Sequence, residues 1–456
     1  MAVSTAGGMT STMPPGPPPR QGLVDSLGYY YRFLTDSIGF VGERFDAYGD
    51  IYYAPSGGVG LYVLRHPDHI WEVLVRDGAK YDKTHTAFEI LSRFLGQGLL
   101  TTDGEQWRRQ RRMVQPAFAP KRLEGYASMM VEEAVAMTPA LVPGTTVDVS
   151  REMMELTLRA VCRTLFGYDV RHQIDRVGEA MTAFHSYLAI PDVLPSWFPW
   201  SPRRRSEEAI ATLDSIIFEM IAERRAQTTA PDPPDLLQML LEARDEEGDG
   251  GSLSDREIRD QLVTLFLAGH ETTSHALTWT WYLLSQNPEE EAKLHEELDR
   301  VLGGRAPTYD DYESLTQTRQ VFEEAMRLYP PAYTLARKAR EAATIGEYQV
   351  AAGSEVIIWI YMTHHDPRWY PDPEVFRPSR FAPEEVQKRP KLAYLPFGAG
   401  ARACIGKVFA MIEGTLLLAE IAQRRRFSLA PGHPVALNPR VTLSPKHGMK
   451  MKVSAR

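Results

Sequence analysis

The stretch Ala268–His275, AGHETTSH, brings two histidines and a carboxylate together, the residue types of a zinc hydrolase helix. Such a helix needs its histidines four residues apart, on one face. His270 and His275 are five apart, and at roughly 100° per residue their rings diverge by about 140°. One ion cannot take both without breaking the helix. A second stretch, Phe397–Gly406, reads FGAGARACIG. Cys404 ends a glycine-rich loop where a helix should begin, and the amide donors and positive dipole end there favour a thiolate. Gly398, Gly400 and Gly406 permit sharp turns and let a flat ligand approach, and Arg402 adds a cation. A haem iron needs such a sulfur as its fifth ligand. Taken alone, the same residues equally describe a buried structural cysteine in a glycine-rich turn.

The loop does not stand alone. It matches F-G-x-G-x-R-x-C-x-G at every fixed position, with Ala410 following. Glu324-Ala-Met-Arg327 gives E-x-x-R, Phe376–Phe381 (FRPSRF) resembles a P-x-R-F segment, and AGHETT matches A/G-G-x-D/E-T-T. These motifs, in this order, resemble the cytochrome P450 superfamily, in its soluble bacterial form, from about residue 50 to the C-terminus. The resemblance implies haem b (iron protoporphyrin IX) with Cys404 as the metal ligand. It counts Phe397, Arg402 and Gly406 among the residues around the haem and places a Trp-x-x-x-Arg pair, Trp107 and Arg111, on the haem carboxylates. Arg337 matches a further propionate position. Glu324, Arg327 and Arg380 correspond to a structural triad. Ala268 and Thr272 are one turn apart and share a face. The small residues Ala268 and Gly269 would leave room for a diatomic ligand. Thr272 would offer a hydroxyl beside it, and Glu271 an acid that connects to water; the resemblance makes this pair the proton route for O–O cleavage. A threonine within a helix also bonds back to the carbonyl four residues earlier, and both uses can hold. His270 and His275 are then packing or surface residues. Ser379, where glutamate is common, and His365, in HHDP, depart from the family pattern.

These residues need elements to place them. Ser254 and Glu257 form a capping box that opens a helix running to Gln286, where Asn287-Pro288 interrupts it. Its roughly 48 Å would cross a whole domain. Residues 105–118 read as a basic helix, and 121–140 and 150–167 carry apolar positions at helical spacing. Residues 50–64 read as two strands around Ser-Gly-Gly, and 355–361 (EVIIWIY) as another. A helix should start right after Cys404 and run to about Arg424. The fold expected is mainly α with a minor β region, a long central helix lying over the haem. Residues 21–456 form one catalytic domain behind a disordered Pro/Gly-rich arm, 1–20.

Composition narrows the function. The chain has 456 residues, 43% hydrophobic and 24% charged, with formal net charge −8, which argues against a nucleic-acid partner. Cys162 and Cys404 are its two cysteines, too few for a disulfide framework or an iron–sulfur cluster. No apolar run is long enough to span a membrane and no secretory signal is present, which points to the cytoplasm. The expected activity is O2-dependent monooxygenation of a lipophilic molecule. Its electrons would come from an external ferredoxin- or flavodoxin-type reductase system that docks near Arg108, Arg109 and Arg112. Substrate contacts fall around 81–100, 180–200, 330–335 and 442–448, where Phe88, Phe94, Phe184, Leu188, Trp197 and Phe198 lie. A peroxide-driven peroxygenase and a non-catalytic haem sensor are the alternatives.

Overall fold

Ser254 accepts from Glu257 N while the Glu257 carboxylate takes Ser254 N, and this box launches a 32-residue helix, Asp255–Gln286, in a computed structural model of the chain. The structure describes residues 13–19, 22–56, 59–84, 86–173, 176–180, 201–229, 231, 234–244 and 251–456. Phe184, Leu188, Trp197 and Phe198 lie outside the described residues.

The long helix is buried along most of its length and packs most extensively on the helix Val149–Phe166. Around this pair one large apolar core gathers the helices Pro120–Met137, Thr316–Leu328 and Lys407–Ala422. The basic helix, Gly104–Val114, is capped by Asp103 and gives way at Pro116 to a tighter turn, Gln115–Phe118. Proline has no N–H for the ladder, so the α-helix ends there.

The β part is small. Its five-stranded sheet runs β1 (Ile51–Ser56), β2 (Val59–Leu64), β8 (Glu355–Ile358), β5 (Leu335–Ala339), β3 (Tyr81–Asp82), with β2 and β8 parallel and the other pairs antiparallel. A second sheet joins β4 (Thr146–Asp148), β12 (Lys450–Ala455) and β9 (Arg425–Leu429). Two hairpins complete the set: β6 (Ala343–Ile345) with β7 (Tyr348–Val350), and β10 (Leu437–Pro439) with β11 (Leu443–Pro445). No helix among the described residues is long and apolar enough to cross a membrane.

Three expectations shift. The strand at 355–361 stops at Ile358, because Ile360–His364 turns into a short helix that carries His364 into the core. The cysteine helix starts at Lys407 rather than right after Cys404, following a turn through Ile405 and Gly406. Part of the N-terminal arm is held: Pro14 is buried, and Tyr53 N donates to Pro15 O at 2.9 Å.

Candidate active site

Cys404 sits between two backbone ties. Its own N–H donates to Phe397 O at 2.9 Å, and Ala403 N donates to Gly400 O at 3.1 Å, closing the loop on itself. Gly398 and Gly400 have φ of +65° and +71°, the left-handed region that favours glycine. At Gly400 a Cβ would also lie 1.9 Å from Leu74 O, so no other residue fits. Gly406 is different: its φ is −89°, ordinary for any residue, and its contribution is an N–H directed at the Cys404 sulfur. Solvent reaches the Cys404 side chain although protein surrounds it on most sides. That enclosure pushes the thiol up, while the Gly406 N–H and the charges of Arg111, Lys407 and Lys83 pull it back toward thiolate.

Cations crowd this loop. The Arg402 guanidinium lies 3.9 Å from the Trp107 ring centroid, donates to Thr102 O at 2.9 Å and pairs with Asp103 at 3.0 Å. Arg111, one turn beyond Trp107, donates to Ala403 O at 3.1 Å, and its guanidinium carbon stands 5.7 Å from the same ring. Arg337, on β5, is buried and donates to Ala336 O at 2.8 Å. Burial and then the charge of Arg402 lower its pKa to about 10, against the pull of Asp103. Lys83, a residue the sequence did not single out, joins them just after β3. Burial and the charges of Arg337 and Arg402 drive its pKa well below the ordinary lysine value. Asp103 had no motif to mark it either. It caps the basic helix, accepts from Lys83 N at 2.9 Å and pairs with Arg402 and Arg340.

A flat dianion ligated by sulfur suits this donor set. Among the described residues, Arg402 Nη1 is buried without a hydrogen-bond partner. Asp103 faces Arg402, Arg337, Lys83 and Arg340, and Asp82 shares Arg340 at 3.1 Å, so among the described residues negative charge is short. Two carboxylates of a porphyrin would supply it, and they suit bidentate donors such as arginine.

On the long helix, Ala268 is exposed and Thr272 half-buried, whereas their neighbours Leu267, His270, Glu271 and Thr273 are buried. Thr272 Oγ1 donates back to Ala268 O at 2.7 Å. Gly269 faces elsewhere: a Cβ there would come within 3.1 Å of Val161 Cγ2, so its smallness serves the packing of two helices. Glu271 is 3% exposed and accepts from Thr442 Oγ1 at 2.5 Å. His270 is buried, with Nδ1 2.5 Å from Phe266 O. His275 is buried as well, Nε2 lying 3.6 Å from Glu271 Oε1. Among the described residues no group of three or more His, Cys, Asp or Glu is placed to hold a metal ion.

Behind the cysteine loop, the fully buried Arg327 forks onto Glu324 at 2.7 and 2.8 Å, and Arg380 Nε lies 3.3 Å from Glu324 Oε1. Arg327 also donates to His364 O at 3.0 Å. His364 is the joint that the sequence left unmarked. Leu395 N donates to its Nε2 at 3.0 Å, so Nδ1 carries the proton and donates to Arg327 O at 3.1 Å. Burial, then the nearby His365 and Arg327, hold its pKa far below the ordinary value, and a neutral ring is what this pair of bonds requires. The ion pair is thereby tied to Leu395, two residues before the loop begins. His365, by contrast, stacks on Tyr361 at 3.9 Å.

Two further expectations are modified. Arg109 is not a free member of a basic patch: it pairs with Glu257 at 2.8 Å, the carboxylate of the capping box. Arg108 and Arg112 share Glu105 at 2.9 and 3.8 Å, and Arg108 is the most exposed of the three. Phe94, 1% exposed, belongs to the core.

The sequence profile described as Cytochrome P450 matches residues 14–453. Cyclooctatin synthase of Streptomyces melanosporofaciens is 40% identical over 403 residues, which cover 87% of this chain and 87% of that protein. Cyclooctat-9-en-7-ol 5-monooxygenase of the same organism is 35% identical over 419 residues, 90% of this chain and 89% of its own. Pentalenene oxygenase of Streptomyces avermitilis is 33% identical over 442 residues, 95% of this chain and 96% of its own. The chain belongs to the cytochrome P450 family. It is a haem-iron monooxygenase that uses O2 and a redox partner to oxygenate a lipophilic organic substrate. With relatives named for oxygenase activity, the peroxide-driven and sensor alternatives give way.

Proposed function

We propose that Cys404 binds the iron of haem b and that the substrate is a cyclic terpenoid hydrocarbon or its monoalcohol. The observation that carries the site is the ring of undercompensated cations (Lys83, Arg111, Arg337, Arg402) around a sulfur that accepts the Gly406 N–H. The names cyclooctat-9-en-7-ol 5-monooxygenase and pentalenene oxygenase support the substrate class. Bound there, the haem supplies O2 binding and reductive O–O cleavage, which thiolate ligation favours.

The protein's own groups do the rest. Trp107 stacks under Arg402 and fixes its plane, and with Arg111, Arg337 and Lys83 it presents donors to the porphyrin carboxylates. Phe397 accepts Cys404 N–H and fixes the height of the sulfur. Ala268 keeps the groove shallow. Thr272 Oγ1, its hydrogen committed to Ala268 O, keeps lone pairs to accept a proton and hand one on, with Glu271 as the acid that replenishes it. Arg108 and Arg112, on the helix whose Arg111 donates to Ala403 O, suit an acidic ferredoxin or flavodoxin-type partner. A single catalytic domain from residue 21, working in the cytoplasm, completes the proposal.

The test is a spectral titration of the ferric holoenzyme with cyclooctat-9-en-7-ol, pentalenene, a long-chain fatty acid and a steroid. The terpenoids should drive the low-spin to high-spin change that accompanies displacement of water. A change with the fatty acid or steroid and none with either terpenoid would overturn the substrate class.

A further inference from the structure

Glu271 and Thr272 are adjacent, and neighbours on a helix project about 100° apart. The Glu271 carboxylate therefore does not face the Thr272 hydroxyl by default, and something must decide where it points. Two buried groups stand on its side of the helix. Thr442 Oγ1 donates to Glu271 Oε1 at 2.5 Å. His275, one turn on, brings Nε2 within 3.6 Å of the same oxygen, and among the described residues neither of its ring nitrogens has a hydrogen-bond partner.

Thr442 comes from outside the helix. It lies in the turn between β10 and β11, and the residue after it locks the turn in place: Trp279 Nε1 donates to Leu443 O at 3.0 Å, and Leu443 N donates to Pro331 O at 2.9 Å. Tyr333 OH adds a bond to Arg440 O at 2.8 Å. The hairpin is thus pinned to the long helix at Glu271 and at Trp279, eight residues or about two turns apart. The Trp279 tie sets the distance at which Thr442 meets the carboxylate.

We propose that Thr442 and His275 are positioning residues for Glu271: held between them, its carboxylate stays on the hairpin side, and the hairpin turn thereby sets how readily Glu271 serves Thr272. This rests on Glu271 and Thr272 forming the proton route. Neither residue touches the reacting atoms; each acts through the carboxylate.

O2 itself is a sufficient probe. With two electrons and two protons it leaves as hydrogen peroxide; with four electrons and four protons it leaves as two molecules of water. A poorer supply of protons favours peroxide. The holoenzyme, reduced by NADPH through a ferredoxin reductase and ferredoxin, is assayed for peroxide formed per O2 consumed. Thr442→Val and His275→Phe should each raise the peroxide-to-water ratio, Thr442→Val by about tenfold, the scale of one hydrogen bond to a charged group. Thr442→Ser, which keeps the hydroxyl, should behave as wild type. In a Glu271→Gln background neither substitution should add to the ratio, since the group they act through is gone. Amide exchange across 440–445 should quicken in Glu271→Leu, a reading that does not depend on turnover.

Equal ratios in wild type and Thr442→Val, with Glu271→Gln raised, would overturn the inference and leave the proton route standing. So would undiminished effects in the Glu271→Gln background, equal damage from Thr442→Ser, or unchanged amide exchange. A Glu271→Gln enzyme with a wild-type ratio would overturn the proton route itself, and this inference with it.

Discussion

The Thr272 hydroxyl donates to Ala268 O at 2.7 Å, a bond that serves the helix and, in the proposed proton route, leaves the oxygen free to accept. The hydroxyl hydrogen is used within the helix, so what faces the half-exposed strip is an acceptor. Thr272→Ala removes this acceptor without disturbing packing, and electrons should then be consumed with peroxide released in place of product. The measurement is product and peroxide per NADPH; unchanged coupling would take Thr272 out of the route. At this scale, spacing in the chain singles out Cys404, Arg402, Trp107, Arg111 and Thr272 as candidates, because each sits in a fixed pattern. Lys83, Asp103, His364 and Thr442 were not readable. Each is a single residue whose partner is distant in sequence: Thr442 meets Glu271 across 171 positions, and His364 meets Leu395 across 31. Gly269 reads with its small neighbour Ala268 as part of one groove, but one step along a helix turns it onto Val161.

The long helix was readable from both ends, since its start has a reciprocal cap and its stop an Asn-Pro pair, and both signals are local. The segment 355–361 was not. Its β-branched and aromatic run favours a strand, yet tertiary demand overrides that at Trp359, because His364 must reach both Arg327 O and Leu395 N. The helix Thr316–Leu328 has its own test. Arg327 and Glu324 are both fully buried, and removing one partner leaves an uncompensated charge. Glu324→Ala should cost roughly 3–5 kcal/mol in urea unfolding and release haem from the purified protein, because the pair is tied to the segment leading into the cysteine loop. A variant with wild-type stability and full haem content would show that the pair does not support the loop.

Across the whole molecule, a buried carboxyl gives stability a pH dependence. Glu413, on the cysteine helix, is fully buried, and among the described residues neither of its oxygens has a well-formed hydrogen bond, the Thr273 hydroxyl being a loose neighbour. Burial raises its pKa from 4.5 to about 8, against a smaller opposing pull from the Thr273 hydroxyl. The folded state therefore holds the proton more tightly than the unfolded chain does. The resulting stability is fully present below about 4.5 and is lost as pH rises through about 8, by at most about 5 kcal/mol. Glu413→Gln should flatten that decline, seen by comparing urea midpoints of variant and wild type at both ends of the window; parallel declines would refute it. The global fold was readable because its motifs recur in one order along the chain, and the proposed site rests on a single bond from the Cys404 sulfur to iron. That bond has a direct measurement. The dithionite-reduced, carbon monoxide-treated holoenzyme should show the red-shifted Soret band of thiolate-ligated iron, and Cys404→Ser should lose it. Fresh, intact wild-type protein without that band, or a Cys404→Ser variant that keeps it, would contradict the account.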